Sequence, residues 1–245
     1  MIEGTVLDLN WKSFVGQLPI PQRHGLTMGE VGLFIRDMMK VPCDYHVITM
    51  DGYKRSMLWQ DTKRAWVNPS PNLSTSHSCL VFPGTVLFEG TKLSEGRGTT
   101  RALEVVGAPN IEPFSLLEKI ESRLKEWKFE GITLRPMMFW PTFQKHAGKS
   151  CGGFHIHVTD SAKAKTWRMG QFLLRIFFEE LGQNFQWQDA PYEYEFNKIA
   201  IDLINGNEDL RHWVEKDGSY QSLIQLEERG MQAYLQQRSD ILLYS

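Results

Sequence analysis

The chain has 245 residues, 42% of them hydrophobic, and a formal net charge of −2 with no block of like charge. That length allows one large domain or two ordinary ones, and the lack of a basic stripe argues against nucleic acid as a partner. No apolar run approaches the roughly 18 residues a membrane span needs, and the N-terminus lacks the basic-then-apolar pattern of a signal peptide.

The first residues, "MIEGTVLDLNWKSF", read as a loop rather than the start of a domain. A Pro-rich extended piece follows, and then a helix with Thr27 as N-cap and Glu30 closing a capping box. Val31, Phe34, Ile35 and Met38 supply its apolar face. Residues 43–52, "CDYHVITMDG", alternate like a strand and end in an Asp-Gly turn. A polar loop, "NPSPNLSTSHS", precedes residues 79–88, "CLVFPGTVLF", which read as a short buried strand broken by Pro83-Gly84. Residues 88–101, "FEGTKLSEGRGTTR", are almost wholly polar. An amphipathic helix then starts near Pro113 and Ser115, with Leu116, Leu117, Ile120 and Leu124 on its apolar face. "GITLRPMMFWPTF" is extended, "GGFHIHVTD" alternates as a strand, and "AKTWRMGQFLLRIFFEEL" is a strong helix. Residues 199–243 are mostly helical, with a break at Gly206-Asn207. Strands mixed with helices imply an α/β or α+β fold, with a boundary near residue 88. Cys43, Cys79 and Cys151 form no CxxC pair and read as small buried hydrophobes.

The polar stretch is the main candidate for chemistry. Glutamates such as Glu89 and Glu95 act as acid, base or nucleophile at a sugar carbon, and an arginine such as Arg97 clamps a carboxylate. The alternative is a solvated loop whose charges neutralise one another, and spacing alone leaves both readings open. "GRGTTR" is neither a phosphate loop nor a dinucleotide fingerprint, so no cofactor is expected. His155 and His157 share one face of a strand, as a metal pair, as polar groups contributed to a site, or as members of a satisfied polar network. Without a further ligand cluster, no metal is expected. His24, beside Arg23 and ahead of the capped helix, is placed to meet an anionic group, whereas Glu30 reads as a cap rather than a catalyst. Asn72, in a proline-stiffened loop, either bonds a ligand or simply belongs to a turn. Of Phe139, Trp140 and Phe143, at least two are expected in the core.

"IPQRHGLTMGE", "WVNPSPNLST", "FPGTVLFEGTKLSEGRGTTR", "VGAPNIE", "LRPMMFWPTFQKHAGKSCGGFHIHVTD", "PYEYE", "AIDLINGN" and "LLYS" occur in that order. Together they resemble the exo-β-N-acetylmuramidase family NamZ, also called YbbC-like or DUF1343, over essentially the whole chain. The resemblance implies a glycoside hydrolase of bacterial cell-wall turnover that releases N-acetylmuramic acid from the non-reducing end of peptidoglycan fragments. It implies export, hence a secreted or periplasmic location. It also implies a Rossmann-like domain facing a smaller domain across an active-site cleft. On that basis residues 1–88 are the C-terminal part of the Rossmann-like domain and residues 89–245 the smaller α+β domain. Glu89 and Glu95 are the implied catalytic carboxylates. Arg97 meets the lactyl carboxylate, Ser94, Thr99 and Thr100 bind hydroxyls or the acetamide, and His24 and Asn72 complete the substrate set. Family members carry a further N-terminal part, with most of the parallel sheet and an E-H-G segment holding another candidate glutamate. This sequence opens at the family's later loop, as "IEGTVLD". The alternative expectation is therefore a muropeptide-binding module or one half of a split enzyme, with the N-terminal half as a separate partner chain.

Overall fold

The computed structural model describes residues 1–245. Thr27 caps the first helix, α1 (Met28–Met39), by accepting the Glu30 amide, while the Glu30 carboxylate accepts the Thr27 amide at 2.7 Å. Glu30 also takes Arg55 Nη2 at 2.6 Å and the Leu243 amide at 2.8 Å. Burial opposes its ionisation, but the Arg55 and backbone bonds outweigh that and hold its pKa down at about 2. Glu30 is thus a cap that ties α1 to the C-terminal tail.

The opening residues form a strand, not a loop: β1 (Glu3–Val6) pairs antiparallel with β2 (Pro21–Arg23). The expected strand at residues 43–52 is absent, and neither sheet includes that segment. The segment instead lies along α1, where Tyr45 and Val47 reach Gly32 and Gly29. Cys43 sits on this segment and is exposed, against expectation; Cys79 is half-buried and Cys151 fully buried.

Residues 79–88 are also corrected. Thr75 caps a helix, α2 (Ser76–Thr85), which runs into a 3-10 turn at Val86–Gly90. A short apolar run buried on most sides has no period to separate strand from helix. Pro83 removes one helical hydrogen bond, but α2 is held by its crossing with α4 (Thr166–Leu181). There Gly84 and Gly170 lie backbone to backbone, with no room for a Cβ on either.

The remaining elements follow the expected order, with one strand, Val105–Ala108, that the local pattern did not single out. They are β3 (Val105–Ala108), α3 (Pro113–Trp127), β4 (Ile132–Phe139), β5 (Cys151–Val158), α4, α5 (Ala200–Asn205), α6 (Asp209–Glu215), α7 (Tyr220–Glu228) and α8 (Met231–Ser239). The expected break separates α5 from α6, with Gly206 as the left-handed cap. The second sheet is antiparallel, in the order β3-β5-β4. On one face Val106, Leu134, Phe154 and Ile156 join Trp127, Trp167, Phe172 and Phe177 in the main core. The opposite face holds only a small cluster, Val105, Phe139 and Cys151. A third cluster joins α1 to the C-terminus through Phe34, Tyr234 and Ile241. The fold is mixed α/β, and both of its sheets are antiparallel. No helix is long and apolar enough to cross a membrane.

Candidate functional site

The polar stretch leaves α2 on the Val86–Gly90 turn and returns to the sheet where Ser94 and Gly107 exchange backbone hydrogen bonds at 2.8 and 3.0 Å. Between them the chain folds against the loop after β4. Gly98 has φ +82°, and a Cβ there would lie 2.7 Å from the Phe143 backbone. Thr142 donates both its amide and its hydroxyl to the Gly98 carbonyl, at 2.9 and 2.8 Å. Only glycine permits this approach.

The stretch folds around an ion cluster. Arg97 bridges the two glutamates, with Nε on Glu95 Oε1 at 3.0 Å and Nη2 on Glu89 Oε1. Lys145 Nζ binds Glu95 Oε2 and the Phe88 carbonyl, each at 2.9 Å. Tyr192 Oη donates to Glu89 Oε2 at 3.0 Å. Burial works to lower the Arg97 pKa, but the two carboxylates outweigh it and raise it. Burial and then the Glu89 charge push the Tyr192 phenol well above its ordinary value. Glu95 is only 2% exposed, whereas Glu89 is 20% exposed. Within this cluster, solvent reaches Glu89 far more readily than Glu95.

Beside the cluster a groove of about 560 Å³ runs between residues 98–101 and the end of β4. Trp140 and Phe143 are exposed in its wall, opposite Thr99, Thr100 and Arg101. Of the three aromatics only Phe139 is core, so the expectation of two core rings fails. The cause is local: Phe139 faces Cys151 and Val105 across the sheet, while Trp140 and Phe143 lie beyond the last paired residue of β4.

The other expected site residues divide. Thr100 is exposed and lines the groove. Thr99 lines it too, but its hydroxyl donates to the Gly96 carbonyl at 2.6 Å and accepts the Arg101 amide, shaping the turn. Ser94 is buried, and its Oγ accepts the Gly96 amide. His24 belongs to a different pocket, with Leu7, Gln22 and Asn205, where its Nδ1 accepts the Leu26 amide. Asn72 is half-buried in its loop, and no hydrogen bond ties it to the ion cluster. His155 and His157 do share a face, with ring centroids 3.9 Å apart. His155 Nε2 contacts Glu104 Oε2 at 3.2 Å, and Thr75 donates to Glu104 Oε1 at 2.8 Å. This matches the satisfied-network reading of His155. Tyr192 and Glu104 are contributions that spacing did not identify: Tyr192 lies 103 residues from Glu89, and Glu104 merely precedes an apolar strand.

Residues 1–77 match the family model "Exo-beta-N-acetylmuramidase NamZ, N-terminal", and residues 80–244 match its C-terminal counterpart. The chain is 35% identical over 243 residues to the peptidoglycan β-N-acetylmuramidase NamZ of Bacillus subtilis strain 168. That match covers 99% of this chain and 56% of the relative, so the chain spans little more than half its length. Crystal structures of two DUF1343 family proteins from Bacteroides fragilis NCTC 9343 superpose over the whole chain. One has a TM-score of 0.85 at 22% identity, covering 63% of that protein. The other has a TM-score of 0.72 at 26% identity, covering 62%. Because the C-terminal model alone spans well over half of the residues, the chain belongs to the exo-β-N-acetylmuramidase NamZ family.

Proposed function

We propose that this chain is part of a peptidoglycan glycosidase that releases N-acetylmuramic acid from the non-reducing end of peptidoglycan fragments. The observation that carries the reading is the groove: exposed Trp140 and Phe143 face Thr100 and Arg101, beside a loop that presents a partly exposed carboxylate. Flat aromatic faces suit the apolar face of a pyranose ring, and hydroxyl and guanidinium donors suit its substituents. Glu89 is the group for acid–base work, with Tyr192 and Arg97 setting its position. Glu95 holds Arg97 and Lys145 in place beneath it.

The finer parts of the reading belong to the same proposal. Residues 1–88 complete a Rossmann-like domain whose parallel sheet is supplied by a further N-terminal part, in the same or a separate chain, and the groove is one wall of the cleft between the two domains. Exposed Met28 on α1 and Ile48 on the segment along it support a body packed over that surface. A muramic-acid substrate implies work at the cell wall, hence an exported protein.

A second reading, a binding module without its own acid, is favoured by the engagement of both glutamates with Arg97. Hydrolysis of a chromogenic β-N-acetylmuramide separates the two readings. The assay compares this 245-residue chain, the same chain joined to a family N-terminal part, and the joined protein carrying Glu89→Gln. Release by either glutamate-bearing protein, reduced about 10²-fold or more by Glu89→Gln, supports the acid–base assignment. Release undiminished in Glu89→Gln refutes that assignment. Binding without release in every case makes the chain a binding module.

A further inference from the structure

We propose that the face of the three-stranded sheet opposite the main core carries an oxyanion-binding subsite, formed by Arg101, Arg135, His155 and His157, next to the aromatic groove. In naming the occupant as the carboxylate of a muramic acid residue, the inference rests on the function proposed above.

The register of the sheet assembles the subsite. Arg135 lies opposite His155 and Thr133 opposite His157, so all four side chains leave the same face. That face is the one turned away from Leu134, Phe154 and Ile156, which fill the main core. Arg101 joins from the loop ahead of β3, with Nη1 3.5 Å from Glu104 Oε2. His77 closes the far end from the first turn of α2, its ring 6.5 Å from that of His157.

Charge decides which kind of ligand fits. Glu104 is the one carboxylate paired with this group, and it is already engaged: it is 1% exposed and bonded by Thr75, His155 and Arg101. Arg135 is exposed and has no ion-pair partner. His157 Nε2 is buried with no hydrogen-bond partner at all, a state that costs free energy unless a ligand or water supplies one. Two guanidiniums and an unpartnered imidazole nitrogen make a poor cation site and a good site for the paired oxygens of a carboxylate or phosphate. Position separates these two sources. Arg101 also lines the groove with Trp140 and Phe143, so a carboxylate carried on a stacked sugar ring would fall within its reach.

Burial holds both imidazoles below their ordinary pKa. For His157 the charges of His155, His77 and Arg135 add to that effect against Glu104. For His155 the Glu104 bond opposes burial, and Arg101 and His77 assist it. An oxyanion favours the protonated rings, so its binding takes up protons and strengthens as pH falls toward their lowered pKa values.

The test uses the intact chain and follows the imidazole NMR signals of His155 and His157 during titration with N-acetylmuramic acid, N-acetylglucosamine or inorganic phosphate. The key variant is Arg135→Gln, whose exposed, unpaired parent residue makes loss of folding an unsuitable explanation. The expected result is that N-acetylmuramic acid moves both signals, that neutral N-acetylglucosamine does not, and that Arg135→Gln weakens the effect about fivefold or more. If phosphate alone moves the signals, and Arg135→Gln weakens it, the oxyanion subsite stands and the muramic-acid reading falls. If no anion moves the signals, or the variant binds as tightly as the parent, the subsite is refuted.

Discussion

Glu95→Gln tests how the candidate loop is held together. The carboxylate takes Arg97 Nε on one oxygen at 3.0 Å and Lys145 Nζ on the other at 2.9 Å, at a site only 2% exposed. A carboxamide keeps the shape but has one acceptor oxygen, so in either orientation one cation faces an NH₂ group. One charge-assisted hydrogen bond, worth about 1.5–3 kcal/mol, is lost outright. The surviving bond also loses its ionic character. Both cations are about one-fifth exposed, so water relieves part of the penalty. A net destabilisation of about 2–3 kcal/mol remains. For a domain of this size that lowers Tm by roughly 4–12 °C. Thermal unfolding followed by circular dichroism gives the shift directly. Glu89→Gln is the internal comparison: Glu89 is 20% exposed, and its loss should cost about 1 kcal/mol. Equal shifts for the two variants, or a shift below about 2 °C for Glu95→Gln, would refute the division between a buried anchor and an accessible carboxylate.

Trp140→Ala and Phe143→Ala should each leave stability within about 0.5 kcal/mol, because both rings are exposed. Either should weaken binding of a muropeptide about tenfold, or 1.4 kcal/mol, by calorimetry; unchanged affinity would remove the stacking wall. Gly170→Ala should destabilise the fold by about 1–3 kcal/mol in urea titration, although alanine favours a helix, because its Cβ would meet the Gly84 backbone; a gain in stability would contradict the close helix crossing. His24, His146, His155 and His157 all have lowered pKa values, chiefly through burial. The unfolded chain therefore takes up protons first. The stability from these groups is complete above about pH 6.5 and declines as the pH falls through that value toward the lower folded pKa values. Urea midpoints that stay flat between about pH 7.5 and 5.5 would show that these rings are not held neutral by the fold.

What was legible in the sequence divides along physical lines. The Thr27–Glu30 capping box, the amphipathic faces of α3 and α4, and the alternation of β5 depend on neighbours within a few residues, and each appears where local pattern placed it. The two misread segments depend on something more distant. Residues 43–52 alternate correctly but join neither sheet and lie along α1, and residues 79–88 become helical where Thr75 caps them and Gly84 meets Gly170. The site shows the same division. The sequence placed Glu89, Glu95 and Arg97 within nine residues, and the fold brings them into one cluster. It carried no signal that Tyr192 would bond Glu89, or that Ser94 would turn inward to hold the loop.

That contrast bears on how the polar stretch works. Much of its hydrogen-bonding capacity is directed inward: Ser94 and Thr99 hold turns, Glu95 is covered by two cations, and Gly98 packs against the backbone at Phe143. A loop so fully bonded is rigid, and a rigid loop loses little conformational entropy when a ligand binds. Of the groups left outward, Thr100 and Arg101 line the groove with the aromatic wall, and Glu89 is partly exposed on the same loop. A polar sequence of this kind therefore divides its labour. Its buried members fix the backbone, and a short exposed remainder is what the proposed function assigns to the sugar. Substitutions in the two groups should separate accordingly, the first lowering stability along with function and the second lowering function at a stability cost of about 1 kcal/mol or less.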